Sequence, residues 1–352
     1  MTCMTDPGRF FEDFRLGERI RHAVPRTLTT GDAALYLGLT GSRFALHCAD
    51  SFARTLGYRQ APIDDVLVFH IVFGRTVPDI SLNAIANLGY AECRFGVPVY
   101  PGDTLATVSE VIGLKENSNR ETGIVYVRST GTNQDGETVV DYVRWVLVRK
   151  RDRNAAAPDP VVPKLAEFVA PASLILPEGL DAARWDEVGA GTAKRWEDYE
   201  PGTRIDHVDG MTIEDACHMT ATRLYQNNAR VHFNRHVEAQ GRFGKRIVYG
   251  GHIVSLARAL SANGLAAGFR LAGINGGRHV NPSFAGDTIY AWSEVLACAE
   301  LPGRGDLGAL RVRSVACKNR AAVDFPDRNA AGEADPSVVL DLDYWVLAPR
   351  RV

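Results

Sequence analysis

Two segments of the chain carry apolar residues in the pattern of a buried helix. Residues 65–77 are apolar almost all round, which is typical of a helix enclosed by other elements. Residues 254–268 carry apolar side chains at helical spacing and end in glycine-rich sequence, where helices commonly stop. The pattern therefore predicts one central helix in each half of the chain.

Alternating apolar and polar residues follow each of these helices and predict β-strands. The strands span 123–130 and 137–150 in the first half, and 310–318 and 338–348 in the second half. Residues 133–136 separate the first pair, and their aspartate before glycine signals a hairpin turn. One buried helix followed by several antiparallel strands predicts an α+β domain in which a sheet wraps around a helix.

The two halves also resemble each other residue by residue. The string FEDFRLGERIRH at residues 11–22 reappears as WEDYEPGTRIDH at residues 196–207. In the same register His47 matches His232. Further on, PGDTLATVSEV matches AGDTIYAWSEV, and WVLV matches WVLA. Four matches in the same order indicate a duplicated domain.

The limits of the repeat divide the chain into three parts. We predict a first copy over residues 1–153, a linker rich in alanine and proline over residues 154–190, and a second copy over residues 191–352. A length of 352 residues agrees with about two domains.

Composition narrows the kinds of partner. The 40 basic and 42 acidic residues give a formal net charge of −2, so no overall positive field attracts nucleic acid or an anionic membrane. We find no run of about 18 apolar residues and no secretory signal in the sequence. The six cysteines are scattered without a CxxC pair, as in a protein with reduced thiols. These features predict a cytoplasmic protein that acts on a small molecule.

The most informative strings lie in the second copy: NNARVHFNRH, which begins at Asn227, and GKRIVYGGHIVSLARAL, which begins at residue 244. They resemble the motifs of the MaoC-like hydratase family, the R-specific enoyl-CoA hydratases with a hot-dog fold. His232 fits the end of the first motif, and residues 247–250 fit the turn that opens the central helix, with Tyr249 in place of histidine. Asn227 stands where the family has its catalytic aspartate. The resemblance implies a double hot-dog fold and the reversible hydration of an enoyl-CoA thioester.

The resemblance also implies roles for individual residues. Hydration needs a base for water, a proton donor to the α-carbon and hydrogen-bond donors for the thioester oxygen. His232 is predicted to be the acid and base, because imidazole titrates near neutral pH. Gly250 and Gly251 are predicted to lie just before the helix, where N–H groups without partners favour negative charge. Asn227 is predicted to hold water or a carbonyl by hydrogen bonds, since an amide cannot take the proton.

The first copy resembles a degenerate half of the same family. Ser42 occupies the aspartate position, and Asp64 and Asp65 replace the histidine and glycine that open the helix. Two carboxylates at that point would repel an enolate rather than stabilise it. We therefore predict that the second copy is catalytic and that the first shapes the acyl-CoA site.

Four residues are predicted to bind the substrate: Arg230, Tyr249, His252 and His47. Arg230 stands two residues before the catalytic histidine, where an arginine would be a costly neighbour for a fatty acyl chain. A substrate with its own carboxylate would supply a bidentate partner. The hypothesis is that Arg230 recognises that carboxylate.

Several alternatives stay open at this point. His232 and His236 have the spacing of a metal site, but the glutamate of HExxH and a third ligand are absent from the sequence pattern, so neither a metal nor a cofactor is expected. Glu238 and Asp215 are candidates for an acid that replaces the carboxylate lost at Asn227. Rival hypotheses are a broader R-specific hydratase, a hot-dog thioesterase and a non-catalytic acyl-CoA-binding protein. The predicted partner is a small CoA thioester, and the assembly considered is a homodimer of double hot-dogs.

Overall fold

The computed structural model describes residues 8–329 and 331–351, and twelve strands in these residues form one sheet whose neighbouring strands are all antiparallel. The strands of the first copy are β1 Arg19–Arg21, β2 Arg26–Thr27, β3 Ala84–Phe95, β4 Thr104–Glu116, β5 Thr122–Thr132 and β6 Thr138–Arg149. Those of the second are β7 Arg204–Asp206, β8 Met211–Thr212, β9 Arg270–His279, β10 Thr288–Leu301, β11 Arg304–Lys318 and β12 Val338–Pro349.

The α-helices of the described chain lie mostly between the second and third strand of each copy. In the first copy they are α1 Thr30–Thr40, α2 Ala45–Cys48, α3 Asp50–Thr55 and α4 Asp65–Thr76. A short helix, α5 Glu187–Ala190, lies between the copies. In the second copy they are α6 Asp215–Leu224, α7 Arg230–Phe233, α8 Arg235–Glu238, α9 Gly250–Leu260 and α10 Ala262–Leu265.

The strand order repeats about the centre of the sheet. It reads β1-β4-β5-β6-β3-β9-β12-β11-β10-β7, with β2 beside β4 and β8 beside β10. The two copies meet where β3 pairs with β9, and Ala91 lies opposite Gly276. Each copy therefore presents the same half-sheet, and the halves join edge to edge.

The two predicted central helices are confirmed as α4 and α9. Asp64 caps α4, because its carboxylate accepts a hydrogen bond of 2.8 Å from the Val66 N–H. The helices lie side by side, and His70 Nε2 is 2.9 Å from the hydroxyl oxygen of Ser255. Helix α9 begins earlier than the apolar pattern suggested, so Gly250 is its first residue instead of preceding it.

The predicted strands and hairpin are also confirmed. Strands β5 and β6 pair along their length, and β11 and β12 do the same in the second copy. In the turn at residues 133–136 the Asn133 carbonyl accepts a hydrogen bond of 3.2 Å from the Gly136 N–H. Glycine suits this position because its φ is +79°. The α+β prediction, a sheet wrapped around a helix in each copy, agrees with this architecture.

The segment between the copies packs against the sheet. The Trp345 indole N–H donates a hydrogen bond of 2.9 Å to the carbonyl oxygen of Val169. Trp185 lies edge-on to Phe52 with ring centroids 5.3 Å apart. The segment is thus anchored, while the predicted domain limits at 153 and 191 stay predictions.

The sequence predicts reduced thiols and no membrane-spanning segment. Cys48, Cys93, Cys217, Cys298 and Cys317 are free thiols, and Cys3 lies outside the described residues. Across residues 8–329 and 331–351, no helix combines the length and apolarity needed to cross a membrane.

Candidate active site

A cavity of about 400 Å³ lies between the two copies. The first copy lines it from α4, β3 and β6, and the second from α7, α9 and β9. Its polar lining residues include Tyr90, Arg144, Asn227, His232, Tyr249 and His279, together with Arg242, which is exposed. Among the described residues, no aspartate or glutamate lines the cavity.

His232 forms part of the cavity wall from the short helix α7. Its Nδ1 is 3.1 Å from the carbonyl oxygen of Ile247. Because a carbonyl only accepts, Nδ1 carries the proton and Nε2 is an acceptor. Burial disfavours the imidazolium and lowers the pKa of His232 to about 4. The ring is therefore neutral at physiological pH, in the form that can take a proton from water.

Asn227 opens the turn that leads into α7. Gln226 before it has a left-handed backbone with φ of +52°. The Asn227 side-chain oxygen accepts a hydrogen bond of 3.0 Å from the Ala229 N–H, which orients the amide. The amide nitrogen can then donate to a bound molecule, but the group has no titrating proton. Asn227 is placed to position a reactant and not to act as a base.

The glycine pair forms the first turn of α9, with Tyr249 at the N-cap. A Cβ on Gly250 would lie 2.5 Å from Nδ1 of His279, and a Cβ on Gly251 would lie 2.6 Å from Cε1 of His70. Glycine therefore allows two imidazole rings to approach the start of the helix closely. The first N–H groups of a helix have no intrahelical partner, so this point favours negative charge. Gly250 lines the cavity and Gly251 lies behind it.

His279, at the end of β9, is a cavity residue that the motifs did not indicate. Its Nε2 is 3.2 Å from the hydroxyl oxygen of Tyr90, which comes from the first copy. Burial lowers the pKa of His279 to about 4, so this ring is also neutral. Within the described chain its Nδ1 is buried without a hydrogen-bond partner. The register of the repeat aligns His279 with Phe95. A histidine in place of an apolar residue is the feature of the sequence that could have indicated His279 as a site residue.

Arg144 is a second cavity residue that the motifs did not indicate. It lies on β6, and its guanidinium carbon is 4.2 Å from the ring centroid of Phe73. The inward positions of β6 before and after it are Tyr142 and Val146, both buried. Arg144 is therefore a charged residue at a position of β6 where the alternation predicts an apolar side chain. This is the feature of the sequence that could have indicated it as a site residue.

The structure does not bring Arg230 into the cavity. Arg230 is exposed at the start of α7 and is not one of the cavity-lining residues, so its position does not support binding of a substrate carboxylate. His252 is also outside the cavity wall, buried with its Nδ1 3.5 Å from the Tyr225 hydroxyl. Tyr249 does line the cavity, with its ring centroid 5.5 Å from that of His232.

The corresponding place in the first copy is filled by charged side chains. His47 Nδ1 is 3.1 Å from a backbone carbonyl, as in its counterpart of the second copy. Asp65 stands where the second copy has its first helical glycine. Its carboxylate is 3.9 Å from His47 Nε2 and 3.6 Å from Arg270 Nε. His47 therefore faces an ion pair and does not line the cavity. That the first copy is not catalytic stays a prediction.

The two carboxylates considered as replacement acids lie elsewhere. Asp215 is exposed and pairs with Arg246 at 2.5 Å. Neither Asp215 nor Glu238 lines the cavity. In the part of the chain that the structure describes, no group of three or more His, Cys, Asp or Glu side chains could hold a metal ion.

The repeated half-sheets, the two central helices and the shared cavity define a double hot-dog protein of the MaoC-like class. A MaoC domain dehydratase from Chloroflexus aurantiacus is 64% identical and superposes with a TM-score of 0.98 over 100% of both chains. A conserved Mycobacterium tuberculosis protein described as having a double hotdog fold is 25% identical, with a TM-score of 0.75 over 98% of this chain and 99% of that one. The predicted fold is confirmed.

The chain belongs to the mesaconyl-CoA hydratase family, whose sequence profile matches residues 2–331. A β-methylmalyl-CoA dehydratase from Chloroflexus aurantiacus is 64% identical over 100% of both chains. A mesaconyl-CoA hydratase from Cereibacter sphaeroides is 56% identical over 98% of this chain and 99% of its own. The RVHFN and VYGGH variants of the two motifs also predict this family, and that prediction is confirmed.

Proposed function

We propose that the chain catalyses the reversible hydration of mesaconyl-CoA to β-methylmalyl-CoA, a hydro-lyase reaction. The observation that carries the proposal is the pair of full-length relatives. One is named for the hydration of mesaconyl-CoA and the other for the dehydration of β-methylmalyl-CoA. These names describe the two directions of one reaction.

His232 is proposed as the acid and base. Its Nε2 takes a proton from water, and the oxygen of that water bonds to the β-carbon of the enoyl thioester. The electrons of the double bond move to the thioester, and the α-carbon then takes a proton back from the imidazolium. The lowered pKa of His232 makes this imidazolium a strong donor. Asn227 is proposed to hold the water through its amide nitrogen.

The start of α9 is proposed as the site for the thioester oxygen. The Gly250 N–H group at the cavity wall and the helix dipole stabilise the negative charge of the enolate; a role for the Gly251 N–H stays a prediction, because Gly251 is not among the lining residues. His279 is placed to add a further donor. If the Tyr90 hydroxyl donates to Nε2, the proton of the neutral ring lies on Nδ1, the atom that packs against Gly250. Neutral imidazole can stabilise an enolate in this way without giving up its proton.

The lining of the cavity disfavours the thioesterase hypothesis. Hydrolysis would need a carboxylate or glutamine to activate water beside the thioester carbonyl. Among the described residues, none of Asp, Glu or Gln lines the cavity. Addition of water to a double bond needs only the imidazole and the oxyanion donors.

A panel of CoA thioesters tests the proposal. We expect the purified chain to remove the enoyl-thioester absorbance of mesaconyl-CoA, and to do so faster than that of crotonyl-CoA or a long-chain enoyl-CoA. A thiol reagent in parallel assays measures free CoA, which should not appear. Release of CoA would support the thioesterase, and binding without either change would support the non-catalytic acyl-CoA-binding protein.

The remaining expectations from the sequence stay predictions. A homodimer of double hot-dogs is tested by sedimentation of the purified chain over a range of concentrations. A cytoplasmic location is tested by fractionation of the cells that produce it.

A further inference from the structure

Within the residues that the structure describes, three arginines are buried: Arg144, Arg258 and Arg270. The carboxylate of Asp65 lies 3.6 Å from Arg270 Nε and helps to raise the pKa of that guanidinium. Asp64 and Asp65 are also near enough to stabilise the charge of Arg258. Arg270 therefore has a carboxylate within salt-bridge distance, and Arg258 has two acidic groups nearby, although burial still lowers its pKa.

Arg144 has no acidic group among the charges that act on it in the described part of the protein. Among the described residues it has no acidic side chain within 4.0 Å, and its close neighbours are phenol rings and hydroxyls. Nη2 donates a hydrogen bond of 2.7 Å to the Thr76 hydroxyl, and Nη1 is 3.5 Å from the Ser81 hydroxyl. Its Nε is buried without a partner in the described chain. A buried positive charge without a counter-ion is costly, so an anion that reached it would be bound strongly.

The Arg144 guanidinium is fully buried, and it lies at the wall of the cavity. Arg144 lines the same cavity as His232. The phenol ring of Tyr249 contacts the His232 imidazole on one side and Phe73, the neighbour of Arg144, on the other. In mesaconyl-CoA the free carboxylate is bonded directly to the β-carbon that receives the hydroxyl. A receptor for this carboxylate must therefore share one cavity with the catalytic base.

We infer that Arg144 of the first copy binds the free carboxylate of the substrate and thereby selects a dicarboxylic acyl-CoA. The inference rests on the function proposed above and assigns to Arg144 the role that the sequence suggested for Arg230. The planar guanidinium can bind a carboxylate with two N–H groups. The first copy then selects the substrate, and the second copy carries out the chemistry.

Two unreactive thioesters isolate the carboxylate from the reaction. Succinyl-CoA and butyryl-CoA have acyl chains of the same length and differ by a carboxylate in place of a methyl group. We expect calorimetry to show that the wild-type chain binds succinyl-CoA at least about tenfold more tightly, as a buried charge-assisted contact implies. Arg144→Gln should abolish that preference and leave the affinity for butyryl-CoA within about threefold.

Two further variants test whether Arg230 is the receptor instead, and whether loss of any positive charge has the same effect. Arg230→Gln tests the rival, and Arg235→Gln removes one exposed positive charge from the neighbouring helix α8. Both should keep the preference for succinyl-CoA. Arg144→Lys keeps the charge but not the two-pronged geometry, and should retain part of the preference. Circular dichroism and thermal unfolding establish that each variant is folded.

The outcomes distinguish this inference from the proposed function. A wild-type chain without a preference for succinyl-CoA, or a folded Arg144→Gln variant that keeps it, would overturn the inference even where mesaconyl-CoA is hydrated. Loss of the preference in Arg230→Gln alone would also overturn it. If Arg144→Gln loses the preference but the wild-type chain hydrates no enoyl-CoA, the carboxylate receptor stands and the proposed function fails.

Discussion

The close approach of His279 to the start of α9 makes Gly250→Ala a sharp test of the site. A Cβ at this position would lie 2.5 Å from both Cε1 and Nδ1 of the imidazole and 2.7 Å from its Cγ. Heavy atoms in favourable contact are about 3.5–4.0 Å apart, so the overlap is about 1 Å. The ring must move by that amount, and its 3.2 Å contact with the Tyr90 hydroxyl must break or reorient.

The size of the effect follows from this displacement. Overpacking of a buried site costs about 1–3 kcal/mol, and the better helix propensity of alanine offsets at most about 1 kcal/mol. We therefore expect Gly250→Ala to lower the free energy of unfolding by about 1–2 kcal/mol. A misplacement of about 1 Å in an active site can lower activity about 100-fold. The loss in kcat/KM for mesaconyl-CoA should be of that order.

Gly276→Ala supplies the matched control. Gly276 lies on β9 with His279, and a Cβ there would meet nothing closer than the Tyr90 carbonyl oxygen at 3.9 Å. Its variant should keep wild-type kcat/KM in the absorbance assay and wild-type stability in urea unfolding. If Gly250→Ala retained kcat/KM within about threefold of Gly276→Ala, the role given to this contact would be refuted.

Three further predictions concern titration and the imidazole rings. Because burial lowers the pKa of His232 to about 4, kcat/KM should stay level down to about pH 5 and fall only below it; an acidic limb centred near 6.5 in the pH profile would contradict this. Burial also lowers the pKa of His70 to about 3 and of His252 to about 4, so the unfolded chain binds more protons below pH 6.5. Urea unfolding should show stability falling on acidification from pH 6.5 to about 4, by roughly 1 kcal/mol per histidine for each pH unit in that window. Tyr90→Phe removes the hydroxyl beside His279 without changing the ring, and should lower kcat about tenfold with KM little changed in steady-state assays; an unchanged kcat would exclude the contact from catalysis.

The sequence was sufficient for the fold because the relevant signals are local. The apolar run at residues 65–77 predicts a helix and the alternation at residues 137–150 predicts a strand, each from its own periodicity. The repeat then predicts a second helix and a second strand in the other copy. The beginning of α9 was misplaced because a glycine pair is typical of a turn, whereas Gly250 and Gly251 form the first turn of the helix and lie close to two imidazole rings.

The site was predictable only where it follows a motif. Asn227, His232 and Gly250 lie in two strings of the second copy, and the structure brings all three to one cavity. Arg144 and His279 come from strands of different copies. They line one cavity only because β3 of the first copy pairs with β9 of the second. Arg230 stays a prediction that the cavity does not support, because proximity in sequence does not fix the direction of a side chain on a four-residue helix.

The central claim is that the second copy carries the chemistry and the first does not. Matched His232→Asn and His47→Asn variants test it, because the asparagine amide can replace Nδ1 as donor to the backbone carbonyl that each histidine contacts. Loss of the enoyl-thioester absorbance of mesaconyl-CoA is measured for both variants at one pH. The account predicts that kcat falls by about 100-fold or more in His232→Asn and stays within about threefold of wild type in His47→Asn. Equal losses in the two variants, or a larger loss in His47→Asn, would contradict it.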